Sequence, residues 1–262
     1  MTRRVRIIGI GLGAVEHLTG QAVAAMNEVD VFLVPDKGER KSELLDIRRS
    51  LCEQLITHDR WEIRTISDPQ RGPDATRDAA QYRDAVVAWH AARVAQYVHV
   101  IAALPQDAVV GFLVWGDPAF YDSTIRMVDQ VAEQIEVEVR VIAGMSAIQL
   151  LAAEHRIPLN AVGEPVHITT GRRLAADWSM LHGTVVVMLD GHLACRALAR
   201  TTPGLHIYWG ACIGMPQQRL VSGPLADVID EIERVRAEVR ADLGWVMDVY
   251  ALAPRPLTTS SR

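Results

Sequence analysis

Apolar residues in this chain gather in short β-branched runs, separated by longer stretches in which they recur every three or four positions. That alternation is expected of an α/β protein. Val5–Ile8 and Val29–Pro35 are bounded by Gly or Pro and read as buried parallel strands. Between them Thr19 is placed to cap a helix whose apolar face is Ala22, Val23 and Met26, which completes a first βαβ unit. Leu44, Leu51 and Leu55 predict a second helix. Tyr82, Val86, Trp89, Tyr97 and Ile101 predict a long third one, entered through the Pro- and Gly-containing loop Asp68–Asp74. A strand over Val109–Trp115 follows, then a helix from about Ser123 to Glu133, then a strand over Glu136–Ile142. Gly144 ends that strand, and Ser146 is placed to cap another helix.

The second half carries more strand: His167–Thr169, Thr184–Leu189, His206–Trp209, Arg219–Ser222 and Trp245–Leu252. Leu225, Val228, Ile229, Ile232, Val235 and Val239 form an apolar stripe opposite Asp230, Glu231, Glu233 and Arg234, the pattern of a surface helix. With 262 residues the chain is long enough for two domains, and the pattern puts their boundary near Tyr121–Thr124, giving domains 1–121 and 122–262. No internal repeat is evident, and only the tail Pro254–Arg262 is of low complexity.

Charge and cysteine content narrow the class. A net charge of −5, from 27 Lys+Arg against 32 Asp+Glu, opposes a general nucleic-acid or anionic-membrane binder, which needs clustered positive charge. Arg3, Arg4 and Arg6 stand before the apolar Ile7–Gly13, but glycines interrupt that run and Glu16 and His17 end it, so it reads as a strand and not as a secretory leader. No apolar run approaches the ~18 residues of a membrane span. Cys52, Cys195 and Cys212 match neither a CxxC pair nor a zinc-ligand spacing and read as reduced thiols. The expectation is a soluble cytoplasmic protein that binds neither nucleic acid nor membrane.

Three strand-end turns carry the candidate chemistry. Gly9, Gly11 and Ala14 fit a dinucleotide-binding GxGxxG/A pattern with Asp36 about 20 residues on, or simply a tight strand-to-loop turn. Val15–His17 lengthen the loop, and the cap at Thr19 comes later than a dinucleotide fold requires. Trp115-Gly116-Asp117-Pro118 follows a strand at the carboxyl end, where open α/β sheets place their ligands. Asp117 there could cap a helix, accept a ligand hydrogen bond or balance a cation; a plain turn is the alternative. Ala143-Gly144-Met145-Ser146 repeats the strand, glycine, helix-start design, with backbone N–H groups free for a ligand. There is no HExxH, no GxSxG and no GxxxxGK[ST], so neither a metal nor a hydrolase triad is expected. Arg172-Arg173, and Lys37, Arg40 and Lys41, could bind an acidic ligand or could simply be solvated.

Taken in order, the glycine loop before Leu18-Thr19, the strand ending in Gly-Asp-Pro, the strand ending in Gly-x-Ser and then Ile157-Pro158-Leu159, the chain resembles the tetrapyrrole methylases of corrin and siroheme synthesis. Asp36–Glu39, Phe112–Thr124, His155–Asn160, Gly163–Arg173, Tyr208–Ala211 and Gly244–Tyr250 are similar to one branch of that family nearly end to end. The resemblance implies two α/β domains with S-adenosylmethionine in the cleft between them, in a homodimer. It implies Trp115, Gly116, Asp117 and Pro118 at the amino-acid end of the cofactor with Ser146 and Ala147 nearby, and Leu189, Gly210, Gly223 and Pro224 around the adenosine. Where the family often has GxGPGD, this chain has Leu12 and Ala14, so the loop that faces the tetrapyrrole in relatives lacks its carboxylate; Ala143 replaces a frequent proline.

For this branch the implied reaction is methylation of C1 of precorrin-5 followed by loss of a two-carbon group as acetate, with methylation of another precorrin ring carbon, or a dinucleotide-dependent dehydrogenase, as alternatives. Methyl transfer needs alignment and exclusion of water more than a covalent nucleophile. Deacylation needs an activated water or a polarised carbonyl, and Asp117, Tyr121 and His17 are the candidates for it. A polycarboxylate substrate makes Lys37, Arg40, Arg172 and Arg173 its candidate anchors, with Leu12 in the substrate-facing loop.

Overall fold

The computed structural model describes residues 2–36, 42–69 and 79–257, which fall into two compact units, Met1–Met145 and Ser146–Arg262. The first unit contains β1 (Arg3–Gly9), α1 (Gly20–Met26), β2 (Val31–Asp36), α2 (Ser42–Leu55), β3 (Glu62–Ser67), α3 (Ala79–Ala102), β4 (Val109–Val114), α4 (Thr124–Ala132) and β5 (Val137–Ile142). Its strands are all parallel, in the order β3-β2-β4-β1-β5. Alternate side chains of the central strands feed two cores. Val5, Ile7, Val110 and Phe112 pack with Val94, Tyr97 and Ile101 of α3 and Met127, Val128 and Val131 of α4. Ile8, Val109 and Leu113 pack with Ala22, Ala25 and Met26 of α1 and Leu51 and Cys52 of α2. Because both faces are covered, β4 is buried at every position, which is why it appears in the sequence as a continuous apolar run.

Thr19 caps α1 as its position suggests, accepting a hydrogen bond from the Ala22 N–H at 3.0 Å. β3 had no sequence signal. It is an edge strand in which only Ile66 is buried, so Glu62–Ser67 carries little of the apolar content that marks the inner strands. The boundary expected near residues 121–124 moves to Met145/Ser146. The reason is a long-range pairing: Val137–Ile142 hydrogen-bond in register with Arg3–Ile8, so α4 and β5 belong to the first sheet. Arg6, 4% exposed on β1, is held by Glu28 at 2.9 Å and Glu138 at 3.3 Å.

The second unit contains α5 (Ala147–His155), β6 (Val166–Thr170), α6 (Gly171–Asp177), β7 (Thr184–Met188), α7 (Leu198–Thr201), β8 (His206–Ala211), β9 (Arg219–Pro224), α8 (Leu225–Leu243) and β10 (Asp248–Ala253). Its sheet order is β6-β7-β10-β8-β9. Last in sequence, β10 lies between β7 and β8, antiparallel to both, while β6 and β7 are parallel. Leu225, Ile229, Ile232 and Val235 of α8 are buried against this sheet and Val239 is buried too, the stripe anticipated for it, and the helix ends at Gly244 in a left-handed conformation (φ 73°) that suits glycine.

Candidate active site

At the carboxyl ends of β1, β4 and β5 the chain makes three turns that touch one another through glycine. Gly11 and Gly116 pair as an isolated antiparallel bridge, the Gly116 N–H donating to the Gly11 carbonyl at 2.7 Å. A Cβ on Gly144 would lie 2.1 Å from the Gly116 carbonyl oxygen, and one on Gly9 would lie 2.5 Å from the Gly144 nitrogen. Only hydrogen fits there, so the three strand ends are drawn together backbone to backbone. Asp117 fixes the junction. Its Oδ2 accepts the Gly144 N–H and its Oδ1 the Ala119 N–H, each at 2.8 Å. With both oxygens committed to backbone donors, the carboxylate brackets two turns, and a positioning role suits it better than the activation of water.

Trp115, at the head of the same turn, packs against the first loop, where a Cβ on Gly13 would meet its ring at 2.8 Å. Its indole Nε1 is buried and has no hydrogen-bond partner among the described residues. On the ring sits the guanidinium of Arg48 from α2, 5.1 Å from the ring centroid. Burial pulls the Arg48 pKa down to about 10, against the opposing pull of Asp122. His17 closes a single 3-10 turn over Val15–His17, and its Cβ lies where a side chain on Gly11 would have to go. Leu12, beside it, is half-buried. Tyr121 is 44% exposed in a left-handed conformation (φ 52°), and partial burial holds its phenol above the usual range. A phenol that keeps its proton can donate to a carbonyl but makes a poor base at neutral pH.

In the second unit the pleat sorts the expected residues by height. Gly210 of β8 and Met188 of β7 both stand opposite Val249 of β10, so Leu189 and Gly210 share one end of the sheet. Gly223 pairs with Ile207, near the other end of β8, and Pro224 with His206. Since β9 runs antiparallel to β8, it carries Gly223 and Pro224 about 10 Å from the level of Gly210. The structure therefore brings Leu189 and Gly210 together but leaves Gly223 and Pro224 apart from them. At the shared end, Leu189 is 67% exposed with φ 52°, and Cys212 just after β8 has φ 50°. A bulky side chain held left-handed costs roughly 1–2 kcal/mol and marks a conformation imposed by its surroundings. What imposes it next to Leu189 is Asp190, 5% exposed, whose carboxylate accepts from the Tyr250 hydroxyl at 2.6 Å and from the N–H groups of Ala194 and His192. Arg236 of α8 donates to the Asp190 and Gly191 carbonyls and to Asp248, which also takes the Trp209 indole N–H at 3.0 Å.

Ser146, 2% exposed, opens α5 and donates through both its backbone N–H and its hydroxyl to Gln149 Oε1, so its side chain serves the cap that leads into Ala147. Arg172 and Arg173 are both exposed on the first turn of α6, and Arg173 pairs bidentately with Asp177 of its own helix at 2.7 and 3.0 Å. Lys37, Arg40 and Lys41 lie outside the described residues. Sequence reading missed Arg48 and Asp190. Arg48 is one arginine within an ordinary helix and carries no local signal, whereas Leu189-Asp190-Gly191 repeats the strand, acid and glycine pattern of Gly116-Asp117 and was open to recognition.

The glycine run also loses its dinucleotide reading, because the helix that follows it, α1, begins only at Gly20, well beyond the run. An all-parallel first unit with glycine-joined strand ends, followed by a mixed five-stranded second unit, defines the class: the chain belongs to the tetrapyrrole (corrin/porphyrin) methylases, whose family profile matches residues 4–229. Among its relatives it is 43% identical over 253 residues, 95% of each chain, to the precorrin-6A synthase [deacetylating] of a Sinorhizobium species. It is 34% identical to the crystal structure of the cobalamin-synthesis-related protein CobF from Corynebacterium diphtheriae, which superposes with a TM-score of 0.78 over 98% of this chain and 100% of that one. The fold also matches the uroporphyrin-III C-methyltransferase of Thermus thermophilus solved with S-adenosyl homocysteine, at TM-score 0.54 and 18% identity over 95% of this chain and 92% of that one.

Proposed function

We propose that this chain is the S-adenosylmethionine-dependent C-methyltransferase that acts on C1 of precorrin-5 and releases acetate to give precorrin-6A. The observation that carries the reading is the 43% identity to a precorrin-6A synthase across 95% of both chains. The residues present suit such a cofactor. The turn at Gly116–Pro118 sits at the carboxyl ends of the parallel strands, and Leu189 offers an exposed apolar side chain in an imposed conformation at the end of β7. Bound S-adenosylmethionine would supply an activated methyl group.

In this reading Asp117 holds the Gly116 and Gly144 turns at a fixed separation, so that a donor and an acceptor meet in line without reorganisation of the backbone. Trp115, Ser146 and Ala147 belong with the cofactor, as do Leu189 and Gly210, with Gly223 and Pro224 about 10 Å along the sheet from Gly210. Tyr121, protonated at neutral pH, donates a hydrogen bond to the acyl carbonyl, which is then hydrolysed by one water to acetate. His17 and Leu12 line the tetrapyrrole side. Arg172 and Arg173, exposed on the first turn of α6, are the anchors of a substrate carboxylate, and Arg173 is held in place by Asp177. We further propose a cytoplasmic homodimer, a reading supported by the family resemblance and by three free, buried cysteines. Among the described residues no helix is long and apolar enough to cross a membrane.

The test combines two measurements on the intact protein. Calorimetric titration with S-adenosylhomocysteine is expected to show binding. Incubation with precorrin-5 and methyl-labelled S-adenosylmethionine is expected to give a labelled corrinoid and one equivalent of acetate. Methyl transfer without acetate would shift the reading to another ring carbon, and failure to bind the cofactor product would overturn it.

A further inference from the structure

Two hydrogen-bond donors at the Trp115 turn have no acceptor among the described residues. Of the three nitrogens of Arg48, Nε donates to the Leu113 carbonyl at 3.1 Å and Nη1 to the Leu44 carbonyl at 2.9 Å. Nη2 has no acceptor among the described residues, and no carboxylate among them lies within ion-pair distance of the guanidinium. Stacked on the Trp115 ring at 5.1 Å, this cation is partly buried, and burial lowers its pKa to about 10 against the opposing pull of Asp122. The second donor is Trp115 Nε1, which is buried with no partner among the described residues and belongs to the ring on which the guanidinium rests. A buried N–H lacking an acceptor is costly, and it rarely stands beside an uncommitted guanidinium N–H unless an outside group completes both.

We propose that Arg48 and Trp115 form a carboxylate-binding pair, with guanidinium Nη2 and indole Nε1 receiving a carboxylate of a bound ligand. The inference rests on the methyltransferase reading for the identity of that ligand. Two sources share the chemistry: the amino-acid carboxylate of the cofactor, and a peripheral carboxylate of the tetrapyrrole. Arg48 reaches the turn from α2 and is tied to the backbone of β4 through Leu113, so the charge is fixed in place before any ligand arrives. A guanidinium also offers the planar geometry that a carboxylate prefers, which an ammonium group lacks.

Arg48→Gln, Arg48→Lys and Trp115→Phe would be titrated with S-adenosylhomocysteine, with its decarboxylated analogue and with uroporphyrin III, a stable polycarboxylate tetrapyrrole. If the cofactor supplies the carboxylate, Arg48→Gln weakens S-adenosylhomocysteine about 10- to 100-fold and leaves the decarboxylated analogue unchanged. If the tetrapyrrole supplies it, uroporphyrin III weakens by that factor and S-adenosylhomocysteine does not. In either case Trp115→Phe, which keeps an aromatic face and removes the N–H, reproduces part of the loss, and Arg48→Lys restores part of it. Unchanged affinity for both carboxylate ligands in variants with wild-type circular dichroism overturns the proposal, as does an equal loss for S-adenosylhomocysteine and its decarboxylated analogue. Should Arg48→Gln fail to fold, Arg48→Lys and Trp115→Phe carry the same comparison. Wild-type protein that binds neither probe overturns the methyltransferase reading and this inference with it.

Discussion

At Gly144 a single methyl group decides whether three turns can meet. Gly144→Ala puts a carbon 2.1 Å from the Gly116 carbonyl, backbone against backbone, where no rotamer change relieves the clash. The expected outcome is a loss of about 3 kcal/mol in urea unfolding, together with loss of S-adenosylhomocysteine binding. Leu189 should behave in the opposite sense. Its side chain is 67% exposed, so little buried area is lost on truncation, while its left-handed backbone is strained. Leu189→Gly is expected to raise stability by up to about 1 kcal/mol and to weaken cofactor binding, a divergence that thermal melting and calorimetry on one sample would measure. A variant that loses both would mean that the residue only packs. Glycine at three strand ends was visible in the chain, but that Gly9, Gly116 and Gly144 lie against one another was not, since each is separated from the next by many residues and looks like an ordinary turn on its own.

Among the elements, the turn after β7 shows how a fold sustains a strained residue. Asp190 is gripped by Tyr250 of β10 and by the N–H groups of its own loop, and Arg236 of α8 holds the Asp190 and Gly191 carbonyls. Tyr250→Phe removes one buried hydrogen bond to a carboxylate and is expected to cost about 1.5–3 kcal/mol, with a matching loss of S-adenosylhomocysteine affinity if the loop carries Leu189 into place. Unchanged affinity in the destabilised variant would separate that network from the site. The elements were largely legible. Inner strands and α8 showed clear periods because they bury one or both faces, whereas β3 was silent because an edge strand buries so little.

For the whole molecule, buried thiols set a response to alkaline pH. Burial lifts Cys52 and Cys195 from an ordinary 9.0 to about 12. With folded values above unfolded ones, the native state holds protons that the unfolded chain releases. The associated stability is complete below pH 9 and is lost as the pH rises toward 12, at up to about 1.4 kcal/mol per pH unit for each thiol. Arg48, lowered to about 10, acts in the opposite direction above that pH, and tyrosines raised from 10.0 add to the thiol effect as that pH is approached, so the cysteines weigh most in the interval from about 9 to 10. Urea midpoints over that interval should fall, and should fall less in Cys52→Ala. A flat profile would mean that the thiols titrate normally in the native state.

The sequence by itself determined the α/β class, the order of most elements, the cap at Thr19 and the three glycine turns, because propensity, capping and burial period act over a few neighbouring residues. Its motif order also pointed to the family. Only the tertiary structure decided that β5 joins the first sheet and moves the unit boundary to Met145/Ser146, that Gly223 and Pro224 sit at a different height from Gly210, and that Arg48 comes to rest on Trp115. Each of these depends on strand register or helix packing between distant segments, where the deciding free energy lies in contacts that no local window of the chain contains.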